Sequence, residues 1–529
     1  MTVKKLLILV VLAAFLGVAF AGAVAYCGES DTASPGGNIF DVRRFGAVAD
    51  GKTFDTHAIQ AAIDACTEAG GGQVLLRQGT FLSKTIVLKD NVTLNIQAGA
   101  VLLGSSDLKD YPSLVPEVRS VTDRYADKSL IHAEGAKNIS ITGSGTINGQ
   151  GACFKNPDGS SFPFMHRPFL IRIIQCQHVL VRDILLRDSA MWVGHYLACD
   201  DVTIDNVRIR SRVNENNDGV GIDSCRNVRV ANCHIVSGDD AIVMKSSSER
   251  ACENVTVTNC VISSGQNAIK TGTESNGGFQ NITVSNCTIY DNGGCGILLT
   301  LVDGGLFKQV TVSNINMHNV RAAICLRLGN RGQLYKKDMK RPGMGAMRNI
   351  IIKNVQATKI GREGCSLTGL PGHPIRNVTL ENIRLRFKGG IARDATFRTI
   401  PELPEAYPEW VMFGILPSYG FYCRHLENLR LKNIDMEFEE DDFRPALICD
   451  DVRELVISDL RTMLMPSAHA MIWLKHVQEA WIEKCRPQGK MDALLRVEGD
   501  SRGIRATQNC LRNAEKANVQ GSDGEEVLQ

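Results

Sequence analysis

The chain has 529 residues, 44% of them hydrophobic and 22% charged, enough to build a well-packed core but long for one ordinary globular domain. Of its 59 basic residues, Lys4 and Lys5 fall in the first 25, and the rest balance the 57 acids. A balance this even excludes nucleic-acid or membrane-surface binding through bulk charge, and long-range steering of a polyanion.

The N-terminus predicts an export signal over residues 1–25. Lys4 and Lys5 precede an apolar run over residues 6–25, which closes on the small residues Ala23, Val24 and Ala25. An uncleaved anchor is the alternative, since about 20 apolar residues can span a bilayer. Cys27 admits a lipoprotein, although Tyr26 before it is a poor lipobox residue. Cleavage makes the mature protein secreted or periplasmic, with no membrane attachment.

Residues 55–70 predict a helix. Asp55 is its expected N-cap, Ile59, Ala62, Ile63 and Cys66 form its apolar face, and Gly70, Gly71 and Gly72 end it. A helix here can seal the open first coil of a repeat fold.

Beyond it the chain repeats. VTIDNVRI, VRVANCHI, VTVTNCVI, ITVSNCTI and VTVSNINM centre on Asn206, Asn232, Asn259, Asn286 and Asn314, a period of about 27 residues, and related strings recur at Asn354, Asn382, Asn433 and Asp459. Each unit alternates β-branched and polar residues and breaks at Asn, Asp or Gly, the pattern of short strands joined by bends. The period is too short for a propeller blade and lacks helical spacing. It predicts an all-β chain, a single-stranded right-handed parallel β-helix over residues 39–485 with an N-terminal capping helix. The Asn residues are expected to form a hydrogen-bonded ladder inside the turn, and Cys233, Cys260 and Cys287 to stack in the interior. Six Asn-x-Ser/Thr strings, Asn91 and Asn281 among them, fall mostly in these repeats and are read as ladder positions in preference to glycosylation sites. Residues 330–346 and 386–422 interrupt the repeat and predict projecting loops. Residues 486–529 are expected to form a cap and a polar tail. The 17 cysteines include no CxxC pair, so zinc has little support.

Three aspartates carry the chemistry. Asp218 and Asp239 are 21 residues apart within a period of about 27, and Asp240 follows directly, so the three are expected on neighbouring turns of one coil. Cleavage of a glycosidic bond needs one protonated carboxyl and others ionised to activate water. Crowding should raise at least one of their pKa values. A bend aspartate that only hydrogen-bonds backbone is the alternative for any one of them, and Asp223 is read as a supporting structural acid.

The strings FDVRRFGAVADGKTFDTHAIQAAIDAC, GGGQVLLRQGTFLSKTIVLKDNVTLNIQAGAVLLGS, ITGSGTINGQG, NNDGVGIDSC and SGDDAIVMKS resemble, in order and spacing, the family 28 glycoside hydrolases, the polygalacturonase group, over residues 39–460. The resemblance implies a pectin lyase-like solenoid and inverting hydrolysis, with Asp239 as general acid and Asp218 and Asp240 holding the attacking water. It also shows departures. Asn267 stands where the family has a histidine. Gly296-Ile297-Leu298-Leu299-Thr300 stands where it has an Arg-x-Lys pair that grips the galacturonate carboxylate. The substrate is therefore expected to differ, with rhamnogalacturonan as one candidate, because the charge-assisted grip is gone. Lys270 and Glu274 could contact sugar instead, or form a surface ion pair. Trp192 could stack on a sugar and His195 bond a hydroxyl, or both could be core residues. Arg327 and Arg331 are candidates for a subsite near the cleft. No metal or cofactor is implied, and the expected partner is a polysaccharide or oligosaccharide met by a monomer. A lyase or epimerase on the same scaffold, and a non-catalytic glycan-binding β-helix, are the competing functions.

Overall fold

A computed structural model describes residues 38–520, Ser467 excepted. The expected export signal lies outside the described residues. Among those residues, no helix is long and apolar enough to cross a membrane.

The protein is a right-handed parallel β-helix. Strands one coil apart pair in parallel: Gly194–Leu197 on Val220–Asp223, then on Ile242–Ser246, then on Ile269–Ser275, in one register until a shift between Met244 and Ser246 in the last pair. A second sheet stacks Asp200–Asp205, Arg226–Ala231 and Cys252–Thr258, and a third Arg208–Ser211, His234–Ser237 and Val261–Ser264. The alternation explains the inside and the outside. In ITVSNCTI, Ile282, Val284, Cys287 and Ile289 are buried while the polar residues between them face out, as a period of two requires.

The bends are made by asparagines in the left-handed region, such as Asn259 and Asn286 at φ 56, a conformation in which Asn is enriched among non-glycine residues. Their amides do form a ladder, Asn314 Nδ2 donating to Asn286 Oδ1 at 2.9 Å and Asn354 to Asn314 at 2.9 Å. The ladder is exposed, not inside the turn as expected. The coil interior is filled by apolar side chains that could not satisfy an amide's several donors and acceptors. Asn281 lies in a second such ladder, donating to Asn254. Cys233, Cys260 and Cys287 are buried one above another, as expected, and no cysteine among the described residues is in a disulfide.

The helix Thr56–Glu68 buries Ile59, Ala62, Ile63 and Cys66 over the first coil. Asp55 does not cap it. Its carboxylate instead accepts from the Val48 and Ala49 N–H groups at 2.7 and 3.0 Å, tying the preceding turn to the helix start. Residues 329–345 and 390–420 leave the coil as loops. The coil does not end near residue 485. Met491–Glu498, Arg502–Thr507 and Ala514–Gln520 continue the parallel stack, because Ala493, Leu495, Val497 and Ile504 still supply an inward apolar row between charged neighbours.

Candidate active site

The register decides which side chains meet. Trp192, Asp218, Asp240, Asn267 and Cys295 each stand two residues before the paired positions Gly194, Val220, Ile242, Ile269 and Ile297. They occupy one point on five successive coils, so Asp218 and Asp240 are neighbours across a single turn and Asp239 sits beside them. The turn before Asp218 is held by Asn217. Its Oδ1 accepts from the Val213 and Asn214 N–H groups, and its Nδ2 donates to the Ser189 and Met191 carbonyls. Asn216 accepts from the buried Arg167 at 2.8 Å. Asp239 is fixed through its carbonyl, which accepts from Ser237 and Ser264 at 2.7 and 2.6 Å.

Asp218 and Asp240 are buried, and Asp239 is half-buried. Burial first, and the Asp240 charge second, push the Asp239 carboxyl up to about 6. Burial and the neighbouring Asp239 push Asp218 well above the usual carboxylate range, against the opposing pull of Lys245. A proton is therefore retained within this pair close to neutral pH, and its loss belongs to the pair together.

Two lysines complete the centre. Lys270 Nζ lies 3.0 Å from Asp240 Oδ2 and 2.7 Å from Glu409 Oε1. Asn267 Nδ2 donates to Asp240 Oδ1 at 2.8 Å and to Glu409 Oε2 at 3.1 Å. Lys245 Nζ lies 3.1 Å from Glu274 Oε2 and 4.9 Å from the centre of the Trp192 ring. Tyr125 donates to Glu274 Oε1 at 2.6 Å, and Arg331, paired with Asp303, approaches Glu274 to 3.9 Å. Burial would push Glu274 up, but Lys245 and then Arg331 outweigh it and hold the carboxyl at about 2. Burial would push both lysines down. Glu274 and Asp218 around Lys245, and Asp240, Tyr407 and Glu409 around Lys270, outweigh it, so both ammonium groups stay charged.

The structure thus gathers Asp218, Asp239, Asp240, Asn267, Lys270 and Glu274 in one place. It places three other expected contacts elsewhere. His195 is fully buried, stacked on Phe169, with Nε2 3.3 Å from Asp223; it supports the floor and offers nothing to a hydroxyl. Trp192 is 5% exposed, enclosed by Tyr125, Phe169 and His195, with Lys245 over its ring, so no ring face is open to a sugar. Arg327 donates to the Glu402, Leu403 and Gly369 carbonyls at 2.6, 3.0 and 3.2 Å; it anchors a loop and does not line a subsite. Asp223, fully buried, accepts from Ser247 N and Oγ, the structural acid expected of it.

Sequence reasoning missed Lys245, Tyr125, Tyr407 and Glu409. Lys245 lies five residues past Asp240 in a string already singled out. Glu405-Ala406-Tyr407-Pro408-Glu409-Trp410 is dense in acids and aromatics for a loop, the only local sign of a role.

The matching family model is "Glycosyl hydrolases family 28", over residues 66–402. The chain belongs to this family. A probable polygalacturonase of Vitis vinifera is 32% identical over 212 residues, 38% of this chain and 43% of the relative. An exo-poly-alpha-D-galacturonosidase of Dickeya chrysanthemi is 30% identical over 251 residues, 39% of this chain and 41% of the relative. The chain thus spans about two fifths of the length of these curated relatives. The hyperthermoactive exopolygalacturonase of Thermotoga maritima shares the fold at a TM-score of 0.58 and 20% identity, over 75% of this chain and 92% of that one. The family 28 exopolygalacturonase of Yersinia enterocolitica does so at 0.53 and 20%, over 94% and 80%.

Proposed function

We propose that this chain is an exported, inverting glycoside hydrolase acting on the ends of pectin-type chains, with rhamnogalacturonan as the favoured polymer. The observation that carries the proposal is the trio itself: three carboxyl groups at one point of adjacent coils, one half-buried and holding its proton to about pH 6, another ion-paired with Lys270. In this reading Asp239 protonates the leaving oxygen, while Asp218 and Asp240 orient and deprotonate water on the opposite side. Proton sharing between Asp218 and Asp239 leaves one acid loaded before the sugar enters.

Attack from a chain end is supported by what covers the sheet face. On one side Tyr125 and Ala126 pack over Phe169 and Trp192. On the other, the 390–420 loop lays Trp410 over Cys295, Leu298, Ala322 and Cys325, and Ile400, Phe413 and Leu416 over Tyr422, Ile448 and Trp473. A polymer running along the coil axis through the trio meets protein on both sides. A lyase on this scaffold would leave an unsaturated sugar, and the two lysines at hand are each already engaged by carboxylates, Lys245 by Glu274 and Lys270 by Asp240 and Glu409. The test is product analysis with homogalacturonan and rhamnogalacturonan, using the intact chain and Asp239→Asn. Short saturated products from rhamnogalacturonan, absent with the variant, are expected. Unsaturated products, or equal release by the variant, would overturn the proposal.

A further inference from the structure

Glu409 has no part in the chemistry assigned above, yet it reaches the centre of the site from a loop about 140 residues away in sequence. Its two oxygens are divided between Lys270 Nζ at 2.7 Å and Asn267 Nδ2 at 3.1 Å. One charged donor and one amide donor, side by side and taken by one carboxylate, are the recognition elements a uronic acid would require. The same donors also hold Asp240, so whatever carboxylate they accept is seated next to the trio.

We infer that Glu409 is a specificity-determining residue: its carboxylate fills the place on Lys270 and Asn267 that a substrate carboxylate would take, so the sugar seated beside Asp240 is uncharged. The inference rests on the hydrolase reading of the site and names the substrate class within it.

The other cations nearby point the same way. Lys245 is committed to Glu274, Arg331 to Asp303, and Arg327 to loop carbonyls. Around the site Asp218, Asp239, Asp240, Glu274, Asp303 and Glu409 outnumber Lys245, Lys270 and Arg331. A uronate would bring one more negative charge into a buried, already acid-rich space, where like charges repel strongly. A neutral sugar brings hydroxyls, which can donate to those same carboxylates. Glu409 is kept in position by the rest of its loop. Arg327 ties the backbone at Glu402 and Leu403, Trp410 packs on the sheet, and the Tyr407 ring lies 5.4 Å from Lys270 Nζ and 5.9 Å from the Arg331 guanidinium.

The test uses a matched pair of ligands: an oligogalacturonide, and the same oligosaccharide with its carboxyl groups reduced to the galactose form. Binding is measured by calorimetry on the full chain carrying Asp239→Asn, with and without Glu409→Gln. The glutamine keeps size and polarity and removes the charge. With Glu409 present the reduced ligand should bind at least about tenfold more tightly, and Glu409→Gln should move the ratio toward the uronate by at least the same factor. Equal binding, a preference for the uronate with Glu409 in place, a ratio unmoved by the glutamine, or no binding of either ligand would overturn the inference. Hydrolysis is scored separately with the unsubstituted catalytic residues. A chain that shows the binding preference but releases no sugar sinks the hydrolase reading and leaves the specificity assignment standing.

Discussion

Glu274→Gln is the substitution whose cost can be worked most directly from the structure. Glu274 is buried, accepts from Tyr125, and faces Lys245 at 3.1 Å and Arg331 at 3.9 Å. Its carboxyl is held at about 2 against an ordinary 4.5, a difference that corresponds to about 3 kcal/mol of folding stability at pH 7. The folded value is the lower one, so this stability is fully present above pH 4.5 and is lost as the pH falls toward 2. At pH 3 about half of it remains. Glutamine cannot carry the charge and leaves Lys245 without its closest partner, a type of loss that costs about 3–5 kcal/mol when the pair is buried. Urea unfolding of both proteins at pH 7 and pH 3 measures the gap. It should be about 3 kcal/mol at pH 7 and shrink by about half at pH 3. A gap below about 0.5 kcal/mol at pH 7, or one that does not change with pH, would refute the assignment of Glu274 as the counter-charge of Lys245.

Four further outcomes are expected. Asp239 holds its proton to about 6 in the folded chain against an ordinary 3.8, so its ionised form disfavours folding. Asp239→Asn should therefore raise the melting temperature more at pH 8 than at pH 4, while lowering kcat by at least about 100-fold, the scale of general acid catalysis. In the intact enzyme the rate should fall as the pH rises past about 6, read from a pH profile of kcat. Arg327→Met removes the donors that hold residues 402 and 403; hydrogen exchange across 396–414 should quicken, and longer products should appear if the loop walls the site. Asp55→Ala strands the Val48 and Ala49 N–H groups and should cost about 1–3 kcal/mol in chemical denaturation, with the helix itself little changed.

The repeat was legible because a β-helix is built from local pattern. Period, inward row and bend residue are all set within one coil, so VTVTNCVI already states which side of the sheet each residue faces. The trio was legible for the same reason: spacing modulo the coil places Asp218 and Asp240 together. Two local features misled. The ladder asparagines read as interior because amide ladders can be, but inward positions here belong to Val, Ile and Cys. Asp55 carries a good N-cap residue type, yet two unpaired N–H groups in the preceding turn take its carboxylate. Charge partnership was not legible. Lys245 with Glu274 and Lys270 with Glu409 join residues 29 and 139 positions apart, and the second pair depends on a loop with no periodicity to align. The same loop explains why Arg327, on a strand that faces the site, turns out to be committed to backbone carbonyls. The regular coil after residue 485 was hidden by charged residues that alternate with its short inward row.

The most direct test of the central claim is proton NMR of the first sugar released, monitored in real time with rhamnogalacturonan oligosaccharide. Inverting hydrolysis by Asp239, Asp218 and Asp240 predicts that a chain-terminal α-linked sugar appears first as its β-anomer and that Asp239→Asn releases none. An α-anomer at the earliest time points, an unsaturated product, or release by the variant at the intact rate would contradict it.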